Sequence, residues 1–195
     1  SQKAIGDDIK AVEANETAKT KYDTRKTAID KAIADAWADA KATYGSADAV
    51  KMADEKFGKI VAEVDDINKK VTEAYKKQIL KDSDWQDLAN IDTKDGSIAK
   101  ALEAVKAAQA NYEACTSLRA TAVKAKADIE ACKDQVGPTE YYNKQVAKYL
   151  GDLEKVKTDI ENFYNAKTAA AYKEELVKAI QKIVDQAEDI KEAAP

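Results

Sequence analysis

The chain has 195 residues, with 32 basic and 36 acidic side chains that give a net charge of −4, and it contains no histidine. This length allows one domain whose core buries roughly 70% of the surface of the unfolded chain. Basic and acidic residues are mixed along the whole chain, so there is no basic stripe for a nucleic-acid backbone. No stretch approaches the roughly 18 consecutive apolar residues that a membrane span needs.

The composition is typical of long helices. Only two prolines and six glycines occur, whereas alanine supplies roughly a fifth of the residues, well above ordinary usage. Because alanine is small, the core should be a narrow seam between helices. We therefore predict an all-α fold, an elongated antiparallel bundle of three to four long helices that forms a single domain over residues 1–195.

The first predicted helix covers about residues 3–44. Gly45 should end it in a left-handed turn, and Ser46 should cap the next helix, which makes a tight helical hairpin. Its apolar residues recur at helical spacing and are predicted to form one buried seam: Ile5, Ile9, Val12, Tyr22, Ile29, Ile33, Trp37, Ala40 and Tyr44.

The second predicted helix covers about residues 47–81 and has the most regular pattern. Its apolar residues alternate at three and four positions, as in a coiled-coil seam: Val50, Ala53, Phe57, Ile60, Val64, Ile67, Val71 and Ala74. The pattern fails after Leu80, which predicts an irregular linker over residues 82–96. Ser83 and Gln86 have the spacing of a capping box and predict one short turn that carries Trp85 and Leu88.

Two more helices are predicted, over residues 97–136 and about 139–192, separated by Gly137-Pro138. The last would be the longest helix of the chain. At 1.5 Å per residue the four segments are roughly 50 to 75 Å long, which predicts a rod. The alternative is a three-helix rod in which part of the first or fourth segment overhangs and the linker forms a small cap.

The residues that usually carry chemistry are missing. Without histidine there is neither a common acid-base group nor a Glu-x-x-His pair for a di-iron bundle, and no glycine-rich loop can hold phosphates. The stretch Asp92–Gly96 superficially resembles a calcium loop, but aligning its glycine puts Ile91 and Leu102 where carboxylates are required. We predict no catalytic, cofactor or metal site and a protein that is not an enzyme.

Cys115 and Cys132 both fall on the apolar seam of the third predicted helix. As two small buried side chains they would simply fill the core. A disulfide is the other possibility, but seventeen helical residues separate the thiols by roughly 25 Å, whereas bridged Cα atoms lie about 4.4 to 6.8 Å apart. We therefore predict two buried, free thiols.

Aromatic residues near the bundle ends are the candidate partner contacts. Trp85 lies in the irregular linker, where packing over the end of the bundle competes with contact to a partner. Tyr44 and the pair Tyr141 and Tyr142 flank the predicted hairpin tips. Lining the end of the core is the competing interpretation for these tyrosines.

The sequence carries weak and conflicting signals about localisation. Asn15-Glu16-Thr17 matches the acceptor pattern for N-glycosylation at Asn15, inside a predicted helix, and such a pattern would indicate secretion. Two free thiols favour a reducing compartment without excluding a secreted protein.

An alanine-rich, lysine-rich and acid-rich chain with breakers at hairpin tips such as Gly45-Ser46 and Gly137-Pro138 resembles the stage-specific alanine-rich surface proteins of African trypanosomes. This group includes the glutamic acid/alanine-rich type and, more distantly, the haptoglobin-haemoglobin receptor. The resemblance covers the whole chain in composition and architecture. It implies a helical rod on the cell surface, a glycolipid (GPI) anchor beyond Pro195, lateral packing with like molecules, and a membrane-distal tip that shields the membrane or binds host molecules. It assigns no functional residues.

Three other functions fit the same pattern. A bacterial surface or lipoprotein stalk would also hold a tip away from a membrane. An intracellular adaptor bundle would need an exposed apolar groove for a partner helix. An exchangeable lipid carrier would need wide apolar stripes, which narrow alanine-padded seams do not supply.

Overall fold

The computed structural model describes residues 1–136 and 140–193, and the side chains of residues 1–133 and 143–191. Every regular element in these ranges is a helix, which confirms the all-α prediction. The elements in chain order are α1 (Gln2–Thr43), α2 (Ala47–Lys76), a 3-10 helix (Asp82–Asn90), α3 (Ser97–Val136), α4 (Glu140–Asn165) and α5 (Ala169–Ala193). The described chain thus has five α-helices where three or four were predicted.

The chain divides into two compact units, Ser1–Ala107 and Ala108–Pro195, which the single predicted domain had treated as one. In the first unit the core lies among α1, α2, the 3-10 helix and the start of α3. In the second unit it lies among the rest of α3, α4 and α5. The helix α3 is therefore shared: three α-helical segments build each unit, and the first unit has the 3-10 helix in addition.

The hairpin between α1 and α2 forms, but Gly45 does not take the predicted left-handed conformation: α1 is capped by Tyr44, whose backbone is extended at φ −116° and ψ 90°. The Ser46 hydroxyl accepts a hydrogen bond from the backbone N–H of Ala49 at 3.1 Å and caps α2. On the facing sides of the two helices, the Trp37 and Phe57 rings stack with centroids 6.0 Å apart. The Trp37 indole N–H also donates to Asp54 at 2.9 Å, which satisfies the one polar atom of this aromatic pair.

Two predicted helix ends were wrong. Helix α2 ends at Lys76 and not at residue 81, and the fourth predicted helix is two helices, α4 and α5, separated at residues 166–168. Gln78 and Lys167 have φ angles of 60° and 62°, the left-handed conformation that ends a helix. Glycine usually fills this position, so a glutamine and a lysine gave no stop signal in the sequence.

Both turns have the same hydrogen bonds. In the first, the Gln78 N–H donates to Tyr75 O and the Ile79 N–H donates to Ala74 O, each at 3.0 Å. In the second, the Lys167 N–H donates to Tyr164 O at 3.0 Å and the Thr168 N–H to Phe163 O at 2.8 Å; this pairing defines the Schellman motif. Each turn therefore satisfies two carbonyls that the end of a helix leaves free.

A buried asparagine from the preceding long helix completes each turn. The Asn15 carboxamide donates to Tyr75 O at 3.1 Å and accepts from the Leu80 N–H at 2.9 Å. In the second unit, the Asn111 carboxamide donates to Tyr164 O at 3.0 Å and accepts from the Ala169 N–H at 2.9 Å. One side chain thus fastens the end of the second helix and the start of the third segment to the first helix.

This shared geometry identifies an internal repeat. Residues of the first helix correspond at an offset of 96, as Asn15 does to Asn111, and those of the second helix at an offset of 89, as Tyr75 does to Tyr164. The difference of seven residues equals about two helical turns and keeps the same face inward. Corresponding positions are buried in both units: Ala18 and Ala114, Tyr22 and Leu118, Ile33 and Ile129, Phe57 and Val146, Val64 and Leu153, Val71 and Ile160.

The start of α1 departs from the prediction. Ile5, Ile9 and Val12 were placed in the buried seam, but their exposed fractions are 61%, 54% and 41%. The hydrogen bond of Asn15 to Tyr75 shows that α2 reaches its end alongside Asn15. Within the part of the first unit that the structure describes, no segment covers the preceding turns of α1, so their apolar face meets solvent.

Removing either asparagine carboxamide should destabilise the protein strongly. Asn15→Ala and Asn111→Ala each delete two hydrogen bonds and leave a buried backbone N–H without a partner, which we expect to cost about 2 to 3 kcal/mol. Urea unfolding measures the change. Asn165→Ala, at an exposed position of α4, is the matched control, and equal stabilities of all three variants would contradict the role of the buried amides.

Substituting glycine at the two left-handed positions, residues 78 and 167, should stabilise the protein. Gln78→Gly and Lys167→Gly each relieve about 1 to 2 kcal/mol of left-handed strain in the folded state. The greater flexibility of glycine in the unfolded chain opposes this gain by about 0.5 to 1 kcal/mol. We expect a net gain of about 0.5 kcal/mol each, measured by thermal and urea unfolding. Lys77→Gly, next to Gln78 but at φ −81°, should destabilise instead; a loss of stability at residues 78 and 167 would contradict the interpretation.

Candidate functional site

The predicted contact Tyr44 lies at the hairpin tip, directly after α1. Its backbone N–H donates to Ala40 O at 2.9 Å and ends the helix. The ring is half-buried and packs against the core of the first unit. Tyr44 therefore lines the end of the core, the competing interpretation for this residue.

Trp85 lies in the 3-10 helix and packs inward. Its ring centroid is 6.2 Å from that of Tyr22, and its indole Nε1 is buried with no hydrogen-bond partner among the described residues. Tyr22 is itself buried, and its hydroxyl donates to Asn68 at 2.8 Å. Burial, followed by the nearby Asp23 charge, raises the pKa of Tyr22 to about 12. Trp85 is therefore partly buried and packs against the core of the first unit.

Charged pairs hold the 3-10 helix and the following turn against α1. The Arg25 guanidinium donates two hydrogen bonds to the Asp92 carboxylate, at 3.0 and 2.6 Å, and these lower the pKa of Asp92. Lys21 pairs with Asp82 at 3.2 Å. The predicted Ser83 capping box does not start this helix; its first turn is closed by the Lys81 N–H, which donates to the Asp84 carboxylate at 3.0 Å. Asp92, proposed and rejected as a calcium ligand, thus serves an ion pair.

The candidate glycosylation residue Asn15 is used inside the fold. Its side chain is buried, its amide nitrogen donates to Tyr75 O, and its amide oxygen accepts from Leu80. A sugar on that nitrogen would replace the donor and require space that the helices fill. The turn therefore gives Asn15 a structural role, which argues against glycosylation at this position; the modification stays a prediction.

The other predicted tip residues lie outside what the structure describes. The backbone of Tyr141 and Tyr142 belongs to the first turn of α4, but their side chains are not described, and neither is Gly137-Pro138. Of the four aromatic candidates, the structure thus places Tyr44 and Trp85, both in the first unit and both packed against its core.

Both cysteines are buried in the seam of α3 and neither forms a disulfide, as predicted. The Cys132 thiol donates to Asp128 O at 3.3 Å, one turn earlier in the same helix. Burial raises the pKa of Cys132, so its reactive thiolate is disfavoured. These thiols fill space in the core and are poorly suited to redox chemistry.

Chemistry-bearing side chains do not converge in the described residues. No group of three or more Cys, Asp or Glu side chains in residues 1–133 and 143–191 could hold a metal ion. In the same part of the chain, the polar residues that are buried as a whole are Asn15, Ser46 and Asn111; Trp85 Nε1 and Asn143 Oδ1 are single buried polar atoms of partly exposed residues. All three buried residues bond backbone groups at helix ends or turns, which is a structural use of buried polarity.

One surface was missed by sequence reasoning and is the best candidate for an interaction site. Ile5, Ile9 and Val12 have the i, i+4, i+7 spacing of one helix face, and we call them the N-terminal apolar face. Lys3, Asp7 and Lys10 project from the opposite side of the same turns. The signal that could have revealed this surface is the break in the apolar pattern between Val12 and Tyr22, where the buried asparagine lies.

Among the described residues, no helix is both long enough and apolar enough to cross a bilayer. No family model matches the chain, and neither a curated protein nor a solved structure matches it. The comparisons therefore add nothing to what the sequence and the geometry of this molecule indicate about function.

The two native thiols should react quickly with a thiol reagent only after the protein unfolds. In the native protein we expect slow reaction of Cys115 and Cys132 with an aromatic disulfide reagent, and two thiols per chain at once in denaturant without a reductant. An exposed control is Val123→Cys, since Val123 is 69% exposed on the same helix and should react immediately. Fewer than two thiols in the denatured chain would reveal a disulfide and contradict this structure.

Proposed function

We propose that this chain is a non-enzymatic cell-surface module in which repeated three-helix units act as a spacer between a membrane and an interaction surface. The observation that carries the proposal is the use of the buried polar side chains. An active site needs polar or ionisable groups aimed into a cavity. In the described part of this chain, the buried side chains of Asn15, Ser46 and Asn111 instead form hydrogen bonds with backbone groups at helix ends and turns.

The outer faces of the helices support a solvated structural role. Lysine and aspartate pair along the surface at a spacing of four residues, as in Lys19–Asp23, Lys26–Asp30 and Lys124–Asp128. Such exposed pairs each add only a few tenths of a kcal/mol to a helix. Their main consequence is a surface with both signs of charge interspersed, which suits close lateral packing with like molecules without strong repulsion.

The surface location is part of the proposal and comes from the resemblance to alanine-rich trypanosome surface proteins. In this proposal a glycolipid holds the chain at a membrane, beyond Pro195, and the rod predicted from the sequence carries a distal tip toward host molecules. A bacterial surface stalk would use the same spacer with a different anchor.

A second candidate is an adaptor bundle inside the cell. The N-terminal apolar face favours it, because three exposed aliphatic side chains on one helix face are a suitable contact for a partner helix. The two thiols, which form no disulfide, are also compatible with a reducing compartment. The two candidates differ in location and in what happens at the C-terminus.

The C-terminal peptide of the protein from its own cells distinguishes them. Mass spectrometry should find a glycolipid attached shortly beyond Pro195, because a surface spacer needs an anchor. A free carboxyl terminus on a protein recovered from the cytosol would favour the adaptor, and a lipid-modified N-terminal cysteine would indicate the bacterial stalk.

Solution scattering tests the spacer itself. The purified chain should give the pair-distance distribution of a monomeric rod, with a long tail, because helices of 40 residues are roughly 60 Å long. A distribution typical of a compact sphere would contradict the spacer role whatever the anchor.

A further inference from the structure

The first residues of α1 and α3 occupy equivalent places in the repeat. At the offset of 96 that joins Asn15 to Asn111, Ser1 corresponds to Ser97, which begins α3. Lys10 also corresponds to Lys106. The fourteen residues before each asparagine are therefore the same part of the repeat seen twice, once at the start of each long helix.

In α3 this segment belongs to the core of the first unit. Ala101 and Val105 are 3% and 0% exposed there, and Ile98 and Leu102 pack beside them. The start of α3 is thus the third helical segment of one unit, and the remainder of α3 is the first helix of the next. The boundary between the two units lies within α3 at Ala107–Ala108, shortly before Asn111.

In α1 the equivalent positions are exposed. Ile5 corresponds to Ala101 and Ile9 to Val105, so the apolar character is kept, but no described segment covers these positions in α1. Surface positions without a partner do not usually carry two isoleucines and a valine on one face. The lysines and acidic residues on the opposite side give this segment the amphipathic pattern of a third helix.

We propose that residues 2–13 of α1 are the third helix of a further three-helix unit, and that its other two helices form a hairpin of the same repeat placed N-terminal to α1. The N-terminal apolar face then packs into that hairpin as Ala101 and Val105 pack into the hairpin of α1 and α2. This inference rests on the repeat within the chain and holds for either location of the protein.

A second copy of this chain fits the face less well. The hairpin of α1 and α2 already holds the start of α3, and α4 packs closely with α5, so neither described hairpin is open for another helix. Two such faces packed against each other would bury only three aliphatic side chains from each copy. A stable interface needs about 800 Å² per partner.

A tandem fusion tests the proposal. An additional copy of residues 1–96 is joined directly before Ser1, so that Ser1 follows residue 96 as Ser97 does in the native chain. The downstream α1 carries Ile9→Cys as a thiol probe, and the buried native cysteines serve as slow internal references. The probe should react quickly in the 195-residue chain and at least about tenfold more slowly in the fusion, because a core position reacts only through local opening.

A matched probe on the opposite face controls for general effects of the fusion. Lys10→Cys should react equally fast in both proteins. Because Ile5 is larger than Ala101, the fusion is also made with Ile5→Ala, which gives the added hairpin the side chain that it holds in the native chain. Protection of residue 9 in either fusion supports the proposal.

Two results would overturn it. One is a probe at residue 9 that reacts as fast in both fusions as in the single chain. The other is a single chain whose probe becomes protected as its concentration rises, since a second copy would then occupy the face.

Discussion

One buried carboxamide in each unit determines where the helices stop and which faces meet. A helix end leaves its last carbonyls without partners, and the next segment begins with a free N–H. Asn15 and Asn111 each supply the partner of that N–H and give a second donor to one carbonyl of the helix end. The amide therefore fixes the longitudinal position of the second helix against the first, and every pair of facing apolar residues follows from that register. An apolar side chain at the same place would leave the Leu80 or Ala169 N–H buried and unpaired.

The same constraint explains the contrast between the two ends of the long helices. After each asparagine, the first helix is covered by the second and by the third segment, so its inward face is buried. Before the asparagine, the helix belongs to a different set of neighbours. In α3 those neighbours are α1 and α2, which bury Val105; in α1 the corresponding Ile9 is exposed. The starts of α1 and α3 have similar apolar patterns. Whether the apolar face of each is buried therefore depends on the helices that pack against it.

Ion pairs between side chains of this protein connect helical segments to one another. Two charge-assisted contacts with paired hydrogen bonds, Arg25 with Asp92 and Arg119 with Glu161, join segments distant in sequence at partly exposed positions. Two hydrogen bonds at 2.7 Å lower the pKa of Glu161, and Arg119 also lies over the Tyr164 ring. Such pairs orient helices and contribute modestly to stability. Among the described residues, both thiols are buried and the charged groups are spread over the surface, an arrangement that suits a structural module.

The amino-acid sequence by itself determined the helical class, the bounds of α1 and α3, the hairpin at Ser46, and the buried thiols of Cys115 and Cys132. These features depend on local propensity, on capping residues and on a period of 3.6, all of which are visible in a single chain. The turns at Gln78 and Lys167, the burial of Asn15, and the exposure of the N-terminal apolar face were decided by the tertiary structure. A left-handed glutamine or lysine is tolerated because neighbouring hydrogen bonds compensate its strain. An isoleucine at helical spacing is predicted to be buried, but its burial depends on whether another helix packs against it, and the local sequence does not contain that information.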